Sequence, residues 1–372
     1  PFFCQKSAAM TVVFSAPVNK LVQECVVPSQ NFSALEGRIE TITLESTAIA
    51  NNILGDPTQR QIAVYLPAGY DKSDEQYPLL VDIVGFTGSG LAHVGWKAFA
   101  ESVPQRVERL ISEGRMGKVI VAFPDCFTSL GGNQYINSSV LGNWADFLTL
   151  EMLPALEDQF RILPGASHRG LFGKSSGGYG AIVHGMKHAE HWGAVACHSG
   201  DMAFELAYLS DFPKTLMQLA RYGGSIEAFM NQMIASRKIS GNDMHVLMIL
   251  AMAATYDPAP ELPFGIRLPV SPQTCELNDE LWQRWLAWDP VRLVESETVQ
   301  TNLKGLKGIY IDCGSSDQYA LVFGARRLSA RLASIGIEHT YDEFSDNHSS
   351  VDYRMDISLP FMYKNLMPGS VT

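Results

Sequence analysis

The residues with the clearest chemical potential lie in Gly173-Lys174-Ser175-Ser176-Gly177-Gly178-Tyr179-Gly180-Ala181, directly behind the apolar run Gly170-Leu171-Phe172. This is G-x-S-x-G at the expected junction of a buried strand and a helix. A turn that tight leaves no room for side chains flanking the serine, so glycines occupy those places. The serine hydroxyl projects from a strained backbone, and the following helix aims its N-terminal amides at whatever the hydroxyl attacks. Ser175 is therefore a candidate nucleophile for acyl transfer. The bland alternative is a Gly/Ser-rich connection without chemistry, and the strand-turn-helix context weighs against it. Gly173-Lys174-Ser175 also ends like a phosphate-binding loop, but that motif needs a glycine at 168, where His168 stands.

A serine nucleophile requires a base, and the base an orienting acid. In this architecture the chain order is Ser, then Asp or Glu, then His. Of nine histidines, only His198, His245, His339 and His348 come well after Ser175. His348 lies in the polar loop Ser345-Asp346-Asn347-His348-Ser349-Ser350, just past an alternating run from His339 to Phe344 that reads as a strand. His339 fits a surface position in or at the start of that strand. His198 ends the run Ala194–Cys197 but precedes every good acid. For the acid, the β-rich run Gly308–Cys313 ends at Gly314 and Asp317 follows in the turn. Open α/β sheets place their ligands at such strand ends. Asp317 is thus preferred to Asp312, which falls inside the strand, although Asp317 would also serve as an N-cap for a helix starting near Tyr319.

Several segments together resemble the esterase family of α/β-hydrolases that includes S-formylglutathione hydrolase, feruloyl esterases, enterochelin esterases and mycolyltransferases. Arg60–Tyr70 (RQIAVYLPAGY) resembles its early strand and Leu-Pro exit. Tyr77-Pro78-Leu79-Leu80-Val81 resembles the strand before the oxyanion loop. Asn143-Trp144 with Glu151-Met152-Leu153-Pro154 resembles the helix before the elbow. The acid and histidine turns, Ile311-Asp312-Cys313-Gly314 with Asp317-Gln318 and Asp346-Asn347-His348-Ser349, are most similar to those of S-formylglutathione hydrolase. The similarity spans roughly residues 38–200 and 305–365. It implies a catalytic triad of Ser175, Asp317 and His348, acyl-enzyme chemistry, and no cofactor or metal. It implies an oxyanion hole made by the backbone amide of Ser176 and one from the loop Gly85-Phe86-Thr87-Gly88-Ser89-Gly90, with Phe86 the best single residue. That loop commonly reads His-Gly in the family and here reads Val84-Gly85. A homodimer is expected by family analogy alone.

Positioning these residues calls for an alternating chain. Strands are expected near 39–46, 61–66, 79–84, 118–123, 170–174, 194–198, 308–313 and 339–344. Helices are expected near 98–113, 144–160, 177–188, 319–335 and 352–365. Leu321, Val322, Ala325, Leu328 and Leu332 form a helical stripe. The fold class is α/β: a mostly parallel eight-stranded sheet covered by helices on both faces. Residues 1–37 read as an N-terminal extension, 38–200 and 305–372 as the hydrolase core, and 201–304 as an inserted cap. Within the insertion, 212–221 and 225–254 are helical in composition, a Pro-rich stretch follows, and Trp282, Trp285 and Trp288 recur at intervals of three. The cap would shape the acyl or alcohol pocket, while its tryptophans individually suit packing.

A chain of 372 residues, 46% hydrophobic, can bury a large core. Its net charge of −11 and lack of a basic tract argue against a nucleic-acid binder and against strong attraction to anionic membranes. No apolar stretch approaches the roughly 18 residues that span a bilayer. Pro1–Ala9 precede Met10 and are compatible with a cloning remnant, and the short apolar run Met10–Val18 does not support a signal peptide, though a removed one is compatible with the sequence. Six widely spaced cysteines without C-x-x-C fit free thiols in a reducing cytoplasm. His184 and His188, spaced i, i+4 and followed by His191, could face one metal. Without the zincin pattern or a nearby cysteine they read better as partly exposed histidines at a helix end. Serine ester hydrolysis leads. Acyl transfer of the mycolyltransferase kind and S-formylglutathione thioester hydrolysis are alternatives, and a non-catalytic binding protein is disfavoured because all three triad residue types occur in order.

Overall fold

The computed structural model describes residues 34–367. The readings of Pro1–Ala9, Met10–Val18, Cys4 and Cys25 fall outside the described residues. Eight strands form one sheet: β1 (Arg38–Glu45), β2 (Gln59–Leu66), β3 (Leu79–Ile83), β4 (Ile120–Pro124), β5 (Arg169–Lys174), β6 (Ala194–His198), β7 (Gly308–Gly314) and β8 (Thr340–Phe344). Their spatial order is β1-β2-β4-β3-β5-β6-β7-β8. β1 and β2 are antiparallel to each other, and β2 is antiparallel to β4. All other neighbours are parallel. The central strands are buried along their whole length, so they read as apolar runs rather than alternations. The edge strands β1 and β8 carry exposed residues throughout.

Helices cover both faces. On one, α1 (Val103–Ser112) and the C-terminal helix Met355–Leu366 bury Val107, Leu110, Leu359 and Met362 against Tyr65, Val121 and Phe172. The helix expected from residue 98 starts five residues later because Ser102 forms a capping box. Its hydroxyl accepts from the Gln105 amide, and the Gln105 side chain accepts from the Ser102 amide at 2.9 Å. On the other face lie α2 (Ser176–Lys187) and the helices between β6 and β7: α3 (Asp211–Leu219), α4 (Ile226–Ala235), α5 (Gly241–Tyr256), α6 (Asp279–Leu286) and α7 (Glu297–Gly305). Next in the chain comes α8 (Leu321–Ser334), and α9 is the C-terminal helix Met355–Leu366. The stretch 225–254, helical in composition, divides in two because Ser240 caps α5, its hydroxyl accepting from the Asp243 amide at 3.1 Å. Trp282 and Trp285 are buried and meet Phe212 edge-on at 5.9 and 5.5 Å. These tryptophans are core, as their spacing suggested.

One polar side chain in this core departs from the expectation for a helix-end histidine. His184 is fully buried inside α2. Its Nε2 donates to the Tyr135 carbonyl at 2.8 Å, and its Nδ1 accepts from the Trp192 indole at 3.2 Å. Both ring nitrogens are engaged with protein groups, which leaves none for a metal. Burial, and then the neighbouring His188, push its pKa down to about 3, so the ring is neutral in the folded state. In the unfolded chain it protonates near 6.5. The unfolded state therefore binds more protons below that value, and stability falls as pH drops from about 6.5 towards 3. His184→Gln, which can both donate and accept, is expected to flatten this acid slope in urea titrations between pH 7 and 4. An unchanged slope would assign the acid sensitivity to other groups.

Candidate active site

Ser175 stands between β5 and α2 with φ 58° and ψ −121°, a conformation that costs a non-glycine residue on the order of 1–3 kcal/mol. The surroundings hold it there. Its amide donates to the His198 carbonyl at 2.9 Å, on the neighbouring strand. A Cβ on Gly173 or on Gly177 would each lie 2.1 Å from the Ile83 carbonyl oxygen, and one on Gly178 would lie 2.5 Å from the His198 carbonyl oxygen. The glycines of the motif are thus required by close backbone approach between β3, β5, β6 and α2.

The acid and histidine turns follow the ends of β7 and β8. Asp317 and His348 are each only 8% exposed. His348 Nδ1 donates to Asp317 Oδ2 at 2.7 Å. That bond fixes the tautomer and leaves Nε2 as an acceptor. The other oxygen, Oδ1, accepts from the Tyr319 amide at 2.9 Å, a local turn rather than a helix cap, since α8 starts only at Leu321. The two turns are tied together. The His348 amide donates to the Gln318 side chain at 3.0 Å, the Ser316 amide to the Asp346 carbonyl at 2.9 Å, and the Tyr319 ring meets His348 edge-on at 4.9 Å. A Cβ on Gly314 would strike the Asp346 carbonyl oxygen at 2.5 Å, so this glycine permits the close approach.

Ser175, Ser176, Phe86 and His348 all line one cavity of about 490 Å³. Ser176 is the first residue of α2, where an amide has no acceptor within its helix. The Phe86 carbonyl accepts from Gly132 at 2.8 Å, while its amide has no acceptor among the described residues. A second loop, which the sequence did not single out, braces this region. Tyr135 donates to the Val84 carbonyl at 2.7 Å and accepts from the Val84 amide at 2.8 Å. Gln134 and Tyr135 both have positive φ, 57° and 60°. Gly132 lies so close that a Cβ there would be 2.9 Å from Phe86 Cα. The available signal was Gly131-Gly132-Asn133, a turn-forming run far from the elbow in sequence.

Among the described residues, none of the remaining histidine and acid candidates bonds to His348 or Asp317. His198 is the last residue of β6, its Nδ1 2.7 Å from Asp312 Oδ1 and its Nε2 2.8 Å from Ser358 Oγ. All three are essentially inaccessible, and Arg354 also holds Asp312 at 3.0 Å. This is a Ser-His-Asp constellation locked in the core and outside the cavity. His339 lies just before β8, its Nε2 2.8 Å from Ser329. His245, on α5, lines the cavity with Met244 and Met248, while Trp282 and Trp285 do not. Asp201 follows β6 and also faces the cavity. Its Oδ2 accepts from Tyr208 and Gln134, both at 2.8 Å, and burial raises its pKa.

The model of the family described as "Putative esterase" matches residues 56–359. The chain belongs to this family. Solved structures with the same fold include a ferulic acid esterase, with TM-score 0.58 and 16% identity over 88% of this chain and 99% of the other. Another is an S-formylglutathione hydrolase from Agrobacterium tumefaciens, with TM-score 0.53 and 16% identity over 90% and 97%. A third is FphF, a fluorophosphonate-binding serine hydrolase from Staphylococcus aureus, with TM-score 0.53 and 14% identity over 88% and 98%. No curated protein matches the chain by sequence. Among the described residues, no helix is long and apolar enough to cross a membrane.

In this esterase the elbow tolerates no added atom at its glycines. Gly177→Ala is expected to lower stability by more than about 3 kcal/mol, or to prevent folding, because the new methyl would overlap the Ile83 carbonyl. Denaturant unfolding tests this. A loss below about 1 kcal/mol would show that the elbow can relax.

Proposed function

We propose that the protein hydrolyses carboxylic esters through an acyl-enzyme on Ser175, with His348 as general base and Asp317 as the group that orients it. The observation that carries this reading is the 2.7 Å His348–Asp317 contact opening onto the same cavity as the strained Ser175. His348 Nε2 takes the hydroxyl proton as Ser175 Oγ attacks the ester carbonyl. Asp317 stabilises the imidazolium that forms. The tetrahedral oxyanion accepts from the amides of Ser176 and Phe86, donors worth about 3 kcal/mol each in such sites. The imidazolium then protonates the departing alcohol. Water, activated by the same ring, attacks the acyl-enzyme and releases the acid.

The segment 201–304 acts as the cap of this site. It supplies Tyr208, Met244, His245 and Met248 to the cavity wall, an apolar surface with a few polar points suited to a small ester. The four described cysteines are free, three of them buried, and this supports a reducing compartment as the place of action.

Ser175→Ala is expected to lower kcat for p-nitrophenyl acetate by about 10⁴-fold or more in a folded protein and to abolish fluorophosphonate labelling. Retained turnover would remove Ser175 as nucleophile. Asp317→Asn removes the carboxylate charge and offers an NH2 donor that favours the wrong imidazole tautomer, and is expected to cost about 10³–10⁴-fold in kcat near pH 7. A loss under tenfold, measured in the same assay, would transfer the orienting role elsewhere. His198→Gln, in the buried look-alike, is expected to lower unfolding stability while kcat stays within about threefold. A large drop in kcat without loss of stability would reverse that division.

A further inference from the structure

One wall of the cavity carries charge that the hydrolytic steps do not use. Lys174 precedes the nucleophile, at the last position of β5, and lines the cavity together with His93 and Asp352. Burial pushes its pKa down, and Asp352 offsets this only in part. Among the described residues, no carboxylate lies within ion-pairing distance of its ammonium and no group accepts a hydrogen bond from it. The carboxylates that act on it, Asp352 and Asp317, are engaged by other groups, Asp317 by His348 Nδ1 at 2.7 Å. Asp352 pairs with Lys97 at 2.9 Å. Asp82, fully buried in β3, holds His93 Nδ1 at 2.6 Å. Burial disfavours the charged His93 ring, yet the Asp82 carboxylate outweighs it and holds the pKa above the ordinary value. His93 Nε2 has no partner among the described residues.

A partly desolvated ammonium without a counter-ion is a standing cost to the fold. At the wall of a reactive cavity, an anionic group on the ligand removes that cost. Asp201, the other carboxylate on the cavity, does not oppose this. It is buried, which raises its pKa and favours the neutral form, and its Oδ2 is already held by Tyr208 and Gln134.

We propose that the substrate is an ester carrying a second, anionic group, a carboxylate, which Lys174 and His93 bind beside the scissile bond. This rests on the esterase reading above and adds the class of substrate to it. A carboxylate can reach the subsite from the acyl or from the alcohol side, and the test separates the two.

The acyl arm compares p-nitrophenyl hydrogen glutarate with its neutral methyl ester. The alcohol arm compares 4-acetoxybenzoate with methyl 4-acetoxybenzoate. In one arm the intact protein is expected to prefer the charged member by at least about tenfold in kcat/KM, expressed in KM, the size of one charge-assisted hydrogen bond. Lys174→Met is expected to bring that ratio to within about twofold of unity. Lys174→Arg is expected to retain it, as is Lys304→Met, an exposed lysine on α7. No preference in either arm, or an undiminished preference in Lys174→Met, overturns the proposal. Calorimetric binding of free glutarate to the intact protein and to Lys174→Met supplies a readout that does not need turnover. Glutarate binding lost in Lys174→Met, with no ester hydrolysed by any form, would uphold the anion subsite while removing the hydrolase reading. Equal glutarate binding by both forms would remove the subsite.

Discussion

The rest of the site depends on one backbone conformation: Ser175 at φ 58° and ψ −121°. Nothing in a serine favours it. It persists because the Ser175 amide is bonded to the β6 edge at His198 and because Gly173 and Gly177 let the strand-helix junction press against the end of β3. That pressure is available only in the middle of a parallel sheet, where β3 and β6 flank β5 on both sides. Strain of this size is sustained by a large core that would have to be disrupted to release it. The same junction starts α2 at Ser176, whose amide has no acceptor within its helix and which lines the cavity beside Ser175.

The histidine is held by a different means. Its turn has no sheet on its outer side, and β8 is an exposed edge. Its position derives from tying two turns into one unit. Asp317 spends one oxygen on its own turn and the other on the imidazole, Gln318 reaches the His348 backbone, and Gly314 allows the two chains to meet. The buried His198–Asp312–Ser358 group repeats the 2.7 Å His–Asp contact, yet it lies in the core between β6, β7 and α9. What sets His348 apart is that it opens onto a cavity shared with the strained Ser175, which His198 does not reach.

The cavity combines unlike walls. The segment between β6 and β7 contributes Tyr208, Met244 and Met248, while the sheet side contributes Lys174, His93 and Asp352. The inserted helices share one continuous apolar core with the sheet, through Phe212, Trp285 and Tyr256. Their tryptophans therefore stabilise the wall from behind rather than meeting the ligand.

Much of this was legible in the chain. All eight sheet strands fall within two residues of the expected spans, because buried parallel strands leave unbroken apolar runs with glycine or polar punctuation at their ends. The elbow was legible because its steric demand is local: three glycines must stand at fixed offsets from Ser175. Asp317 and His348 could be expected from their places after strands, and their approach to each other follows from the parallel pairing of β7 with β8. Other features were not legible, since they depend on which distant groups become neighbours. The sequence suggested an exposed helix end for His184, but Tyr135 and Trp192 turned it into a buried neutral bridge. Nothing local marks Gly132 and Tyr135 as the brace of the loop carrying Phe86. Lys174 in the chain is one lysine among many. Only packing partly removes its ammonium from water and commits Asp352 to Lys97 and Asp82 to His93, because electrostatic pairing is decided by distance in space and not by separation along the chain.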